Sequence, residues 1–293
     1  MRMSMRKSPD LYPRVIMEKP PRPCYTDFKL LARGPRLSNL LETASKLGYE
    51  RVAVDVEVTF EGKKTVIPRV EELDKALKEF VTLPEGLEVL RRITIKVDNP
   101  NLLHVIQGSN ALEEYDITAL HITSEKAFQS IVSTITTDII SLEWSERLGF
   151  PLKYTQVSQI LRRGTCFEVC YTPAIKSSSH CRQIISNIIQ LSTFSKGKGI
   201  IISSGAEHPL ELRGPLDVIN LSCLFGMKEE HCKATITKNC AQVISHARQR
   251  TDIVKGAVLC QFLPSSASDD YVKEEGATLS ETRKRSRSPE PET

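Results

Sequence analysis

Hydrophobic positions along this chain switch repeatedly between two periods. Short apolar or alternating runs occur at "CYTDFKL" (24–30), "RVAVDV" (51–56), "RITIKV" (92–97), "DITALHI" (116–122), "DIISLE" (138–143), "TCFEVCY" (165–171) and "GIIISS" (199–204), and each reads as a strand. Between them the period lengthens to that of a helix. Leu37, Leu40, Leu41, Ala44 and Leu47 form one stripe, followed by Gly48 where a helix C′ glycine belongs. Cys181, Ile184, Ile185, Ile188 and Leu191 form another over 178–194, after a run of serines suited to capping it. Strand followed by helix in series predicts an α/β fold with a parallel sheet and helices outside. A closed TIM-like (β/α) barrel is favoured over an open doubly wound sheet, because no strand-to-helix turn carries the G-x-G-x-x-G fingerprint.

The ends of the chain lack this pattern. Residues 1–22 carry four prolines and mixed charge without hydrophobic periodicity, and read as a flexible extension. A single barrel domain is expected over 23–262, its last part helical: a helix begins at Pro215, another segment follows Asn239 as N-cap, and "DIVKGAVLCQF" (252–262) supplies a final strand. Residues 263–293 are rich in Ser, Glu, Lys and Arg and poor in large apolar side chains, so that burial cannot offset the entropy of ordering them. A disordered charged tail is expected there. Within it Arg283, Lys284, Arg285 and Arg287 form a candidate nuclear localisation signal, with Ser286 and Ser288 as candidate phosphorylation sites.

Charge changes this picture only locally. With 40 Lys+Arg against 36 Asp+Glu the net charge is +4, so anion binding has to come from a patch. No apolar run reaches a membrane span and the N-terminus has no secretory h-region, so an intracellular protein is expected and its 8 cysteines read as thiols. Cys166 and Cys170 share a strand face about 13 Å apart, too far to chelate one zinc.

In such a barrel the chemistry sits at the C-terminal ends of the strands. Those positions are Asp27 and Lys29, Asp55 and Glu57, Lys96 and Asp98, His121, Glu143, Tyr171 and Lys176, then Ser203, Ser204 and Glu207. A metal-dependent hydrolase would open with H-x-H on the first strand, whereas this chain has Asp27 and then Lys29, and an ammonium repels a cation. No metal site, cofactor or catalytic set is assigned. Ser203, Ser204 and His208 lack the G-x-S-x-G context of a nucleophile, and His208 is assigned to a solvated loop. Glu168 shares a face with Cys166 and Cys170 and is expected to point into the barrel, where a buried carboxylate needs a cation such as Lys96 or Arg213. Arg213, before Gly214 and Pro215 at a helix start, suits a phosphate or bridges to Glu207 or Glu211. Lys176 accompanies it at the functional end and Arg182 lies on the polar face of the next helix, whereas Lys196 and Lys198 precede a strand and fall at the opposite end.

The stretch from "YTPAIK" through "GKGIIISS" to "ELRGPLDVINL" closely resembles the thirty-kilodalton protein subunit family of ribonuclease P and ribonuclease MRP, with weaker similarity back to "LLETASKLGYERVAV". The resemblance covers roughly 23–250, and the N-terminal extension departs from it. It implies a barrel of the polymerase and histidinol phosphatase (PHP) type without its metal site, acting as a non-catalytic subunit of an RNA enzyme that removes the 5′ leader from precursor tRNA or processes ribosomal RNA. It further implies a nuclear, nucleolar location and, as partners, the catalytic RNA, precursor tRNA indirectly, and a small α/β RNA-binding subunit. On this reading Lys176, Arg182, Lys196, Lys198 and Arg213 are candidate RNA contacts, and Glu168, Ser203, Ser204 and Glu207 organise the loop. The alternative is a metal-dependent phosphoesterase of the PHP type.

Overall fold

The computed structural model describes residues 24–31, 35–59, 67–80, 84–103, 106, 109–134 and 137–252. Its strands are β1 (Thr26–Leu30), β2 (Arg51–Thr59), β3 (Glu88–Val97), β4 (Ile117–Ile122), β5 (Ile139–Leu142), β6 (Cys166–Cys170) and β7 (Ile200–Ser203), all parallel and in sequence order. Past its last strand the sheet curls back on its first: Gly205 N donates to Lys29 O and Leu31 N to Ala206 O, closing a TIM-like barrel. The expected extensions at 1–22 and 263–293, with the basic cluster at 283–287 and the candidate strand at 252–262, lie outside the described residues apart from Asp252, which ends a helix.

The helices are α1 (Pro35–Leu47), α2 (Val70–Phe80), α3 (Glu125–Thr134), α4 (Tyr154–Arg162), α5 (Thr172–Lys176), α6 (Ser178–Ser195), α7 (Pro215–Leu224), α8 (Glu229–Cys232) and α9 (Lys238–Asp252). They cover the outer sheet face through the apolar partners that alternation puts there. Phe167 and Val169 of β6, with Tyr171 just after it, meet Ile184, Ile188 and Leu191 of α6 in one cluster, while Val52 and Val54 of β2 meet Leu37, Leu40 and Leu41 of α1 in another. At roughly 1.5–3 kcal/mol for each such side chain, this layer supplies most of the driving force for folding.

The inner face is divided by height. At the N-terminal end Phe28, Ala53, Ile117, Ala119, Ile139, Cys166 and Ile201 form an apolar plug, floored by Cys240 and Val243 of α9. Above it the inward side chains turn polar and charged. The pairing of β1 with β2 shifts between Asp27 and Leu30, a bulge-like irregularity that lets Phe28 join the plug while the next residue, Lys29, reaches inward too.

Two capping expectations are corrected. Asn239 lies within the first turn of α9, and its Nδ2 donates to Ile200 O, tying that helix to β7. Ser177 precedes α6, but its hydroxyl pairs with that of Ser179 and leaves the helix without a side-chain cap.

Candidate functional site

Midway along the barrel axis the cations of Arg92 and Lys29 pair with the carboxylates of Asp55, Glu57 and Glu168. Arg92, fully buried, donates Nη1 to Glu168 Oε1 at 2.5 Å and Nη2 to Oε2 at 2.6 Å, a bidentate pair. The same Nη1 reaches Phe28 O at 2.9 Å, and Nε lies 3.5 Å from Asp55 Oδ1. Ser203 Oγ donates to Glu168 Oε1 at 2.7 Å, and Thr94 Oγ1 to the Asp55 carboxylate at 2.7 and 2.8 Å. Lys29 Nζ stands 2.7 Å from Glu57 Oε1 and 3.9 Å from Asp55 Oδ2. The inward orientation of Glu168 follows from its strand face, but its cation is Arg92, replacing the expected Lys96 or Arg213. Lys96 is exposed on the cavity wall, and Arg213 lies in the loop after β7. The sequence holds a signal that points to Arg92, though not to its pairing: Arg92, Thr94 and Lys96 alternate with Ile93, Ile95 and Val97 on one strand, so three polar side chains share the inner face.

These contacts set the ionisation states. Burial alone would raise Glu168, but the Arg92 guanidinium, its hydrogen bonds and Lys29 bring it down to about 2. Asp27 has no such cation. Burial raises it to about 6 even though Oδ1 accepts from the backbone N–H groups of Ser204 and Lys29, and its Oδ2 is buried without a hydrogen bond. Burial also raises Asp55, against the pull of Arg92 and Lys29.

Above this layer a cavity of about 510 Å³ opens at the C-terminal ends of the strands, lined by Lys29, Glu57, Lys96, His121, Glu143 and Lys176 among others. The phosphoesterase alternative would need a metal here, and the donors do not fit one. An ammonium sits between the Asp55 and Glu57 carboxylates, and a guanidinium holds Glu168. His121 is held below its usual range by burial and by Lys29, with Lys96 adding to the effect. Among the described residues no three His, Cys, Asp or Glu side chains are grouped to hold an ion.

The loop after β7 is held from within. Ser204 Oγ accepts from Ala206 N and donates to Lys29 O, while Glu211 Oε2 accepts from the N–H groups of Glu207 and His208. The side chains of Glu207 and His208 are exposed. Arg213 neither bridges to Glu207 or Glu211 nor opens as a free cation: Nη1 donates to Leu210 O and Leu212 O, both at 2.8 Å. Tyr171 Oη accepts from its N–H and Tyr49 Oη donates to its carbonyl. Lys176 Nζ pairs with Glu211 Oε1 at 2.7 Å, linking α5 to the loop. Arg182 is exposed on α6. Lys196 and Lys198 lie on the turn before β7, at the other end of the barrel, so the five candidate cations do not form one patch.

Comparison with known proteins agrees with this architecture. The chain is 38% identical over 224 residues to mouse ribonuclease P protein subunit p30, covering 73% of this chain and 81% of that one. It is 30% identical over 219 residues to the probable ribonuclease P protein subunit 3 of Schizosaccharomyces pombe, covering 74% and 88%. To the ribonuclease P/MRP protein subunit RPP1 of Saccharomyces cerevisiae it is 26% identical over 241 residues, covering 82% of each. One chain of an archaeal ribonuclease P solved by cryo-electron microscopy with mature tRNA shares the fold at a TM-score of 0.61 and 13% identity, over 81% of this chain and 98% of that one. The family model described as RNase P subunit p30 matches residues 25–252, from the first strand to the last described helix, and the chain belongs to that family.

Proposed function

We propose that this chain is a non-catalytic subunit of its ribonucleoprotein, contributing surfaces for RNA and for partner subunits. Family membership makes it a protein subunit of ribonuclease P, and the yeast relative named for both particles extends this to ribonuclease MRP. The observation that carries the non-catalytic reading is the neutralised barrel interior. Lys29 and Arg92 pair with the carboxylates of Asp55, Glu57 and Glu168, and among the described residues no three His, Cys, Asp or Glu side chains are grouped to hold a cation. RNA would then supply the chemistry, with precursor tRNA met indirectly and a small α/β RNA-binding subunit as protein neighbour.

The isolated full chain, supplied with manganese or zinc, is expected to cleave neither precursor tRNA nor generic phosphoesters. Turnover that needs the metal and disappears with Asp27→Asn or Asp55→Asn would establish the phosphoesterase alternative. A nuclear, nucleolar location belongs to the same proposal. Truncation after residue 264 removes Arg283, Lys284, Arg285 and Arg287 and is expected to shift a fluorescent fusion out of the nucleolus. Undiminished nucleolar accumulation would reject the basic cluster as the signal.

A further inference from the structure

The end of the barrel away from the cavity carries its own charged groove. α6 ends in the turn Ser195–Gly199, where Lys196 takes φ 54°, Gly197 φ 73° and Gly199 φ 62°. A β-carbon on Gly197 would lie 2.1 Å from His231 Cδ2, and one on Gly199 2.4 Å from Leu161 Cδ2. The turn is therefore wedged between α4 and α8, which fixes where its two lysines project. Beside it lies a groove of about 550 Å³ whose rim carries Arg162, Lys196, Lys198 and Lys238, all exposed and without an ion pair among the described residues. One carboxylate lines it, Glu230, which has His231 Nε2 at 3.4 Å. Lys238 begins α9, so the positive end of that helix dipole opens onto the same groove.

An aromatic ring completes the set. Tyr154 is 48% exposed, unusual for a large ring at the start of a helix, and Lys196 Nζ stands 6.0 Å from its centroid. Cations alone suit any polyanion, but an exposed ring among them suits one whose bases are free to stack, which is single-stranded nucleic acid. A duplex would use the cations and leave the ring uncovered. An acidic peptide would likewise gain little from it.

We propose that this groove binds a single-stranded stretch of RNA, with Arg162, Lys196, Lys198 and Lys238 on successive phosphates and Tyr154 under a base. The inference rests on the reading that the chain works within an RNA particle. It places RNA on the barrel end opposite to the one where barrel loops usually carry function.

The test uses the full chain and a fluorescent oligouridine of about 12 nucleotides, a matched RNA duplex and oligoglutamate as probes. The variant Arg162→Ala/Lys196→Ala/Lys198→Ala/Lys238→Ala is expected to weaken oligouridine binding at least tenfold and to shallow the log–log salt slope by about 0.7 for each phosphate no longer neutralised, approaching three in all. Tyr154→Ala is expected to weaken oligouridine at least fivefold, spare the duplex and leave the salt slope unchanged. Lys176→Ala/Arg182→Ala, on the other end, should change neither quantity comparably. All these side chains are exposed, so melting temperatures should match the parent and separate weakened binding from unfolding. Binding and slope unaltered in the quadruple variant, equal effects of Tyr154→Ala on single strand and duplex, or oligoglutamate competing as well as oligouridine would each overturn the proposal. Tagged parent and quadruple variant are then recovered from cells across a salt series. Failure of the parent to bring down ribonuclease P RNA would overturn the subunit reading, whereas equal salt resistance of parent and variant would overturn the groove alone.

Discussion

Replacing Arg92 by alanine is expected to remove about 3–5 kcal/mol of unfolding free energy, because it leaves the buried Glu168 carboxylate without its partner. The loss comes mainly from what remains. Glu168 keeps Ser203 Oγ as a donor but loses both guanidinium bonds, and Asp55 loses one of its two flanking cations. The stranded carboxylate should take up a proton well above its present value of about 2, so the deficit against the parent should shrink as pH falls. Arg92→Met combined with Glu168→Leu removes both charges while keeping volume, and should recover much of the loss. Urea unfolding of the parent, both single variants and the double variant measures the coupling directly. A cost below about 1 kcal/mol for Arg92→Ala would mean that the pair is not sealed from water.

This ion-paired layer also shows what the sequence made legible and what it did not. Strand positions follow from apolar runs, and β1, β4, β5, β6 and β7 lie within two residues of the runs that predict them. The longer β2 and β3 exceed their runs at ends of mixed polarity, Glu57 to Thr59 and Glu88 to Arg91, because two neighbouring parallel strands satisfy each other's backbone whatever their side chains. The inward turn of Glu168 was legible from period two alone. Its partner was not, since the pair joins residues 76 apart, and sequence offers several cations to choose from. A narrower rule would have found it. Among those cations, Arg92 alternates with apolar neighbours on a strand buried on both faces, and a charge in that setting needs a buried counter-charge.

Lys176 and Arg213 show the opposite failure. Their place after β6 and β7 is as expected, yet position at the functional end did not disclose how their charges are used. Arg213 is held by carbonyls of its own loop and Lys176 by Glu211, which are local interactions set by the chain path through residues 209–211. Lys196 and Lys198 have no such acceptors among the described residues and stay exposed, on a turn where Lys196, Gly197 and Gly199 all take left-handed φ.

The stability of the whole chain should depend on pH with two flanks of opposite sign, both set inside the barrel. Asp27 is raised from 3.8 to about 6 by burial, so the folded state binds its proton before the unfolded state does. Its contribution is fully present below the unfolded value and is lost as pH rises through about 6, on the order of 3 kcal/mol in all. Glu168 is lowered from 4.5 to about 2 despite burial, chiefly by Arg92, so its contribution is present above 4.5 and is lost as pH falls toward 2, by a similar amount. The contributions of these two groups together are greatest between their flanks and decline on both sides, while Asp55, raised by burial, adds to the upper flank and His121, held below its usual range, opposes it. Asp27→Asn isolates the upper flank. It keeps the Oδ1 acceptor used by Ser204 and Lys29 and removes the charge, while the buried, unbonded Oδ2 position carries an unsatisfied donor in the variant as it does in the protonated parent. The variant's stability relative to the parent should thus rise between about pH 4 and pH 8 by on the order of 3 kcal/mol. Urea midpoints for the two proteins at those pH values decide it. A difference that stays constant would show that Asp27 ionises in the folded barrel as readily as in the unfolded chain, and that a cation or water reaches its second oxygen.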